Sequence, residues 1–256
     1  RNTTHEKRVA DIIKKKYPAW KIDLGSMIGG QLNFPRRVTT TYLTSATREP
    51  YHQFINSVRQ ALAIREIDAD VFILKADGGT MPLANAEELP VETIFSGPAA
   101  STLGVQALIP PGETAVVVDI GGTTTDLALI LSGQPLLSSK GARVENQLTQ
   151  VRTLAVKSVP VGGDSALQQD GKGLIIGTGR LGPAYCMGGP APTPTDALRV
   201  LGLTELGDPL KAEEAMTDLG EALNLSARDT AGKVIEMVVE RISSEVNNMF
   251  LDWEQE

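Results

Sequence analysis

The residues best suited to chemistry lie in one short segment, where two aspartates bracket a turn rich in glycine and threonine. Asp119 and Asp126 enclose the sequence IGGTTT, with three valines before it and the apolar run LALIL after it. The two glycines permit backbone conformations that bring main-chain N–H groups close to an anion. The carboxylates would repel a bare phosphate but suit one that arrives with Mg²⁺, which takes oxygen ligands and keeps several waters. The segment therefore predicts a loop for a magnesium-bound phosphate.

The two apolar runs must position this loop. Both are built from residues that favour buried strands, so we expect them to pair as a β-hairpin around the turn. The simpler alternative is a glycine-rich hairpin turn with two solvated aspartates. For Asp126 alone, the alternative is an acid at a strand edge.

A second glycine-rich segment follows a predicted strand at residues 154–159 and precedes a predicted helix. Its members could offer their N–H groups as a second anion site at the helix N-terminus; they are Gly162, Gly163, Asp164 and Ser165. A tight turn from strand to helix, with Asp164 only capping the helix, explains the same pattern equally well.

Three further side chains are weaker candidates. Asp77 precedes two glycines at the end of a predicted strand, where open sheets place ligand contacts, although a plain loop is the simpler interpretation. Cys186 has no histidine near it in sequence, which favours a packed, inert thiol over a nucleophile. Asp196 lies in the predicted first turn of a helix, where its charge suits the helix dipole, and it is also a candidate for contacts with substrate or metal.

The remaining elements alternate between strand and helix patterns. Strands are predicted at residues 20–26, 38–44 and 71–74, and helices at residues 51–66 and 96–108. The last helix carries an apolar stripe that indicates core packing rather than an interface; it consists of Ile235, Val238, Val239, Ile242, Val246 and Phe250. These patterns predict an α/β fold, a mixed sheet with antiparallel hairpins and flanking helices. We expect an α/β segment at residues 1–112 and a phosphate-hairpin segment with C-terminal helices at residues 113–256, within one continuous domain.

Composition excludes several classes of protein. A net charge of −7 over 256 residues, without a dense basic patch, argues against nucleic acid as a partner. No apolar run approaches the roughly 20 residues of a membrane span. A single cysteine is consistent with a reducing compartment, so we expect a soluble cytoplasmic protein. Only two histidines occur, which disfavours a multi-histidine zinc site.

Several segments together carry a resemblance to a known family. The central segment resembles the phosphate-binding hairpin of the ATPase superfamily that contains actin and the sugar kinases. The segments ETIFSGPAAS, VPVGGDSAL and RLGPAYCMGGPAPTPTDALRVLGL begin at residues 92, 159 and 180. In that order and at that spacing they resemble the hydantoinase A and 5-oxoprolinase family. The resemblance also includes KADGGTMPL at residues 75–83 and covers most of the chain up to about residue 225.

The resemblance implies specific roles. It implies an actin-like (ribonuclease H-like) fold that uses ATP and Mg²⁺, with Asp119 reaching the metal through water and Asp126 as the second catalytic acid. Phosphate contacts would come from Gly121, Gly122, Thr123 and Thr124.

The implied activity is an ATP-dependent hydrolase that opens cyclic amides of the hydantoin or 5-oxoproline type, in which ATP phosphorylates the amide oxygen so that water can open the ring. The alternatives are a subunit of an ATP-dependent ketone carboxylase and a non-catalytic nucleotide-binding module. The chain begins at Arg1 and shows one such hairpin, so we expect a piece that lacks the family's N-terminal lobe and that works with it, and with a second subunit in the carboxylase case.

Overall fold

The computed structural model describes residues 2–170 and 173–254. Its helices are α1 Thr4–Lys16, α2 Gly25–Ile28, α3 Phe34–Ile64, α4 Leu83–Glu88, α5 Ser96–Leu108, α6 Pro194–Val200, α7 Pro209–Gly220 and α8 Ala227–Glu254. Its strands are β1 Phe72–Leu74, β2 Thr80–Pro82, β3 Ala115–Ile120, β4 Thr125–Leu131, β5 Gln134–Pro135, β6 Arg143–Val144, β7 Gln147–Leu148, β8 Val156–Val159, β9 Ser165–Gln169 and β10 Leu174–Arg180. Short 3₁₀ turns occur at Pro90–Thr93, Tyr185–Met187 and Glu221–Leu223.

The chain divides into two compact units that are not contiguous in sequence. Unit 1 comprises residues 2–113 and 130–156, and unit 2 comprises residues 114–129 and 157–254. The chain thus leaves unit 2 within β4 and returns to it at β8.

The 31-residue helix α3 dominates unit 1. Asn33 caps it by accepting a hydrogen bond from the N–H of Arg36 at 3.3 Å, and Pro35 occupies the first turn, where no N–H is needed. The strand predicted at residues 38–44 is wrong, because these residues lie inside α3. Their threonine hydroxyls donate back to carbonyls four residues earlier, as Thr40 does to Arg36 at 2.7 Å and Thr44 to Thr40 at 2.9 Å. That bond satisfies the hydroxyl within the helix.

The core of unit 1 forms where distant segments meet. Ala76, Val91, Ala142 and Val151 make one buried cluster, with Leu43, Ile94 and Phe95 packed against it. Two antiparallel hairpins frame this cluster, β1 with β2 and β6 with β7. The predicted strand at residues 71–74 and the predicted helix at residues 96–108 are confirmed as β1 and α5. The strand predicted at residues 20–26 is wrong, since this stretch is irregular before α2 begins at Gly25.

In unit 2, a sheet is built around β4. This strand has β3 and β8 as hydrogen-bonded neighbours, which explains why its residues Leu127, Ala128 and Leu129 are almost completely buried. Strands β9 and β10 form a separate antiparallel pair.

The three C-terminal helices of unit 2 pack against one another. Met216, Ala231 and Val234 on α7 and α8 are fully buried, and Ala212 on α7 is buried against Ala184 and Cys186. The residues of the predicted stripe on α8 are half-buried, except for Val239, which is exposed.

The predicted fold class is confirmed: the protein is a mixed α/β structure with small antiparallel sheets and flanking helices. Among residues 2–170 and 173–254, no helix combines the length and the apolar character needed to cross a membrane.

Candidate functional site

The aspartate-bracketed segment forms the predicted hairpin. β3 and β4 are neighbours in the sheet, and the four residues 121–124 connect them. A connection this short requires antiparallel strands, because parallel strands need a crossover of a dozen residues or more. Asp119 lies near the end of β3 and is exposed, whereas Asp126 lies in β4 and is half-buried. Gly121, Gly122 and Thr123 are exposed, so the loop itself faces solvent.

Backbone hydrogen bonds from a distant turn hold the loop. The N–H of Gly163 donates to the carbonyl of Gly121 at 2.9 Å, and the N–H of Asp164 donates to the carbonyl of Gly122 at 2.7 Å. Within the loop, the N–H of Gly121 donates to the carbonyl of Thr124 at 2.9 Å, so this N–H is not available for the predicted phosphate contact of Gly121. We call the first two bonds the carbonyl clamp.

The carbonyl clamp determines where the loop's N–H groups point. No peptide bond among the described residues is cis. In a trans peptide the C=O of one residue and the N–H of the next point in opposite directions. Since the carbonyls of Gly121 and Gly122 face the turn at residues 162–164, the N–H groups of Gly122 and Thr123 face away from it. Neither N–H has a hydrogen-bond acceptor among the residues that the structure describes. Two adjacent donors of this kind are what an anion-binding loop requires.

Glycine is required on the turn side of this contact. A Cβ on Gly162 would lie 2.6 Å from the carbonyl oxygens of both Gly121 and Gly122. On the loop side, a Cβ on Gly122 would lie 2.9 Å from Oδ2 of Asp164, a side-chain atom that can move aside. The turn therefore packs on the backbone of the loop at Gly162, where a larger residue would force the two apart.

The turn at residues 162–165 does not form the predicted second anion site. The predicted helix is wrong, because the strand β9 begins at Ser165. The N–H of Gly162 donates to the Oγ of Ser165 at 2.9 Å, and the N–H of Ser165 donates to the carbonyl of Gly162 at 3.1 Å. With Gly163 and Asp164 committed to the carbonyl clamp, all four N–H groups are used within the protein.

Two threonine side chains stabilise the segment at residues 161–163, which leads into the turn that holds the loop. Thr125 is completely buried, and its hydroxyl donates to the carbonyl of Val161 at 2.7 Å. Thr195 donates both its N–H and its hydroxyl to the carbonyl of Gly163, at 3.0 and 2.8 Å. Thr195, in the first turn of α6, thus joins this helix to the turn at residues 162–165.

The carboxylates at the hairpin do not form a closed metal cage. Among the described residues, no group of three or more histidine, cysteine, aspartate or glutamate side chains could hold a metal ion. Mg²⁺ in nucleotide sites is commonly held by one or two carboxylates plus the phosphates and water. The exposed Asp119 beside two outward N–H groups fits an ion of that kind, brought in with a phosphate.

Comparisons with known proteins identify the family of the chain. The family model for hydantoinase/oxoprolinase matches residues 37–253, which is most of the chain. The chain belongs to the hydantoinase/oxoprolinase family. Among curated relatives, the gamma subunit of acetophenone carboxylase from Aromatoleum aromaticum is 25% identical over 96% of the chain. The chain spans only 36% of that relative's length.

Solved structures of two ATP-dependent enzymes have the same fold as this hydantoinase/oxoprolinase chain. A nucleotide-free structure of acetone carboxylase matches with a TM-score of 0.83 and 25% identity, covering 97% of this chain and 38% of that one. The ATP-dependent caprolactamase from Pseudomonas jessenii matches with a TM-score of 0.70 and 24% identity, with the same coverage of both chains.

Two of the weaker candidates have structural roles in this family member. Asp196 is fully buried in α6, where its carboxylate accepts from the N–H and hydroxyl of Thr193, each at 2.8 Å. It also accepts from the N–H groups of Tyr185 and Cys186, at 3.1 and 2.7 Å. These four donors occupy the carboxylate, so Asp196 joins α6 to the Tyr185–Met187 turn and is poorly placed to contact a ligand. Burial, and then the Asp196 carboxylate, raise the pKa of the Cys186 thiol to about 12, which agrees with an inert thiol.

The third weak candidate, Asp77, lies in the turn between β1 and β2 of unit 1. Its carboxylate accepts from the N–H of Gly79 at 3.0 Å and pairs with the Lys75 ammonium at 3.2 Å. Burial raises the pKa of Asp77, but these two partners outweigh it and leave the pKa below its usual value. The geometry fits the plain loop that was the simpler interpretation.

One charged residue close to the hairpin has no recognisable signal in the sequence. Arg180 ends β10, and its Nη2 lies 2.9 Å from Oδ2 of Asp164. In the pairing of β9 with β10, Arg180 is opposite Ser165, which places it beside Asp164. Residues 162–165 resemble the start of a helix in sequence, and a helix at that position would have no cross-strand partner.

Proposed function

We propose that unit 2 binds the phosphates of Mg·ATP at the β3–β4 hairpin, within an ATP-dependent enzyme of the hydantoinase/oxoprolinase family. The observation that carries this proposal is the carbonyl clamp, which directs the N–H groups of Gly122 and Thr123 outward into solvent. The ATP dependence named for both acetone carboxylation and caprolactamase supports it.

The residues of the hairpin have different roles in the proposed binding of Mg·ATP. The N–H groups of Gly122 and Thr123 bind phosphate oxygens, and the hydroxyls of Thr123 and Thr124 add donors to the same loop. Asp119 holds Mg²⁺ through water, since it is the exposed carboxylate of the pair. Asp126, half-buried in β4, is the second acid of the site.

Gly162, Gly163, Asp164 and Ser165 belong to this site in a different way from the prediction. Their N–H groups do not reach a ligand, because they are bonded to the hairpin and to one another. We assign them the role of setting the direction of the loop, so that its donors are organised before the nucleotide arrives.

ATP would transfer its terminal phosphoryl group to the amide oxygen of a cyclic amide of the hydantoin or 5-oxoproline type and leave as ADP, which makes the carbonyl carbon more electrophilic. Water would add to that carbon, and the C–N bond of the ring would break as the nitrogen takes up a proton. A second water would hydrolyse the resulting acyl phosphate to a carboxylate and inorganic phosphate. This hydrolase is the activity that the family implies, and the fold shared with caprolactamase supports it.

A ketone carboxylase subunit is the second candidate. The TM-score with acetone carboxylase is 0.83, against 0.70 with caprolactamase, and one relative is the gamma subunit of acetophenone carboxylase. In this case the enzyme would need a partner subunit, and the small-molecule substrate would be a ketone instead of a ring amide.

Isothermal titration of the whole protein with Mg·ATP tests the proposal. We expect measurable heat with the wild type and loss of ATPase activity in Asp119→Asn, with a melting temperature close to that of the wild type because Asp119 is exposed. Asp218→Asn, at an exposed position on α7, is the matched control and should leave activity unchanged. If the wild type gave no heat with Mg·ATP, the hairpin would have lost its proposed ligand.

A further inference from the structure

Arg180 lies closer to the hairpin than its position in sequence suggests. Oδ2 of Asp164 is the atom that a Cβ on Gly122 would meet at 2.9 Å, and the same oxygen binds Nη2 of Arg180 at 2.9 Å. A single carboxylate oxygen therefore separates the guanidinium group from the backbone of the phosphate loop.

The guanidinium is oriented but still accessible. Its Nε donates to the carbonyl of Gly182 at 3.1 Å, which fixes the plane of the group, while 48% of the side chain remains exposed. No acceptor for Nη1 occurs among the residues that the structure describes. A partly exposed ion pair contributes little to stability, so exchanging the carboxylate for a stronger anion costs little.

The negative charge around the hairpin favours a positively charged side chain beside the proposed nucleotide. Asp119, Asp126 and Asp164 are all acidic, and the tail of ATP adds several negative charges. One Mg²⁺ cannot offset all of them. The planar guanidinium group of arginine presents several N–H donors in a fixed geometry that matches the oxygens of a phosphate.

We propose that Arg180 is a ligand for the terminal phosphates of the nucleotide, and that Asp164 only pairs with its guanidinium until the nucleotide takes its place. This inference rests on the proposed function, because it assumes that Mg·ATP occupies the hairpin. On binding, the guanidinium of Arg180 turns from Asp164 towards the phosphates.

Variants of Arg180 and Asp164 distinguish a phosphate-binding role for Arg180 from a purely structural ion pair. If Arg180 binds phosphate, Arg180→Ala weakens the affinity for Mg·ATP by about tenfold or more. Asp164→Asn then binds Mg·ATP at least as tightly as the wild type, since it removes a competitor for Arg180 and a repelling charge. If the pair is only structural, both variants break the same contact and lower the affinity alike.

The experiment is isothermal titration of the whole protein with Mg·ATP, together with the melting temperature of each variant. Arg180→Lys keeps the charge without the fork and should lie between the wild type and Arg180→Ala, which preserves the test if the alanine variant folds poorly. Arg228→Ala removes one exposed positive charge from the first turn of α8 and should bind as the wild type does. Equal losses in Arg180→Ala and Asp164→Asn, or no loss in Arg180→Ala, would overturn the inference. Absence of binding by the wild type would instead refute the proposed function.

Discussion

At the scale of single residues, the lack of a side chain at Gly162 allows the turn at residues 162–165 to approach the hairpin loop closely. The carbonyl oxygens of Gly121 and Gly122 both approach within 2.6 Å of the place where its Cβ would be. Neither oxygen can withdraw easily, because each accepts a hydrogen bond from the same turn. The contact leaves no room for even one methyl group.

Gly162→Ala should therefore disturb the loop more than an ordinary glycine substitution. We expect a loss of about 1–3 kcal/mol in the free energy of unfolding, together with weaker binding of Mg·ATP, because the added methyl displaces the carbonyls that orient the donors. Urea unfolding and titration calorimetry measure the two effects. Gly232→Ala, within α8 where nothing lies near the added Cβ, should be neutral or slightly stabilising. An unchanged affinity in Gly162→Ala would show that the contact does not control the loop.

Asp196 is a buried charge whose partners are all in place. In Asp196→Asn an amide group faces some of the four donors that the carboxylate now satisfies, so donors are left without acceptors in a buried site. We expect a loss of about 3 kcal/mol in the free energy of unfolding, measured by urea denaturation. Asp218→Asn is again the exposed control. A loss of less than about 0.5 kcal/mol would contradict the structural role of Asp196.

Cys186 should make stability depend on pH in the alkaline range. Burial, followed by the nearby Asp196, raises the pKa of this thiol from 9.0 to about 12, so the folded protein retains the proton where the unfolded chain would lose it. Its contribution to stability is therefore fully present below about pH 9 and is lost as the pH rises towards 12. The free energy of unfolding of the wild type should decline between these values more steeply than that of Cys186→Ala. Parallel pH profiles for the two proteins would show that the thiol is not protected.

At the scale of elements, local patterns predicted the hairpin but not the parts held by distant contacts. The β3–β4 hairpin could be predicted because its two apolar runs and its glycines are adjacent in sequence. The turn at residues 162–165 could not, because glycines followed by Asp and Ser are also typical of a helix start. What decides between the two is the contact with Gly121 and Gly122, about 40 residues away in the chain.

Helix α3 is the opposite case, in which tertiary structure overrides a local preference for strand. Its threonines favour a strand by propensity, but the helix buries Thr40 and Thr44 within unit 1. Thr40 has a second role, since its Oγ1 accepts from the N–H of Gln150 at 2.9 Å. The same hydroxyl therefore stabilises the helix and anchors the segment that follows β7.

Thr40→Val tests that anchor. The change keeps the shape of the side chain but leaves the N–H of Gln150 without its acceptor, so we expect a loss of about 1–3 kcal/mol in the free energy of unfolding. Thr47→Val in the same helix removes only an exposed hydroxyl that donates to the carbonyl of Leu43 at 2.7 Å, and it should change stability by less than about 0.5 kcal/mol. Comparable losses in both variants would show that the substitution acts through helix propensity and not through the hydrogen bond between Thr40 and Gln150. Urea denaturation monitored by circular dichroism is sufficient.

At the scale of the whole molecule, the family and the fold class could be predicted, whereas the substrate could not. The ordered set of glycine-rich segments was enough to indicate the hydantoinase/oxoprolinase family, because several motifs must occur in one order. The substrate depends on a few side chains that no local pattern marks. Arg180 illustrates the difficulty, since its place beside Asp164 follows from the pairing of β9 with β10.

Stimulation of ATPase activity should separate the two candidate enzymes. With the whole protein, a cyclic amide such as ε-caprolactam, hydantoin or 5-oxoproline should increase the release of phosphate from ATP if the hydrolase proposal is correct. Acetone or acetophenone with bicarbonate should do so if the carboxylase proposal is correct, and then only when the partner subunit is present. Asp119→Asn provides the background rate in both assays. Stimulation by neither class of compound would favour the non-catalytic nucleotide-binding module.

The carbonyl clamp has a consequence for anyone who wishes to transplant this loop into another scaffold. Residues 119–126 alone would carry the glycines and threonines but not the Gly163 and Asp164 donors that aim them. The transferable unit is therefore discontinuous and includes the turn at residues 162–165. A graft without that turn would match the motif in sequence and still lack the orientation of the N–H groups on which the proposed nucleotide site depends.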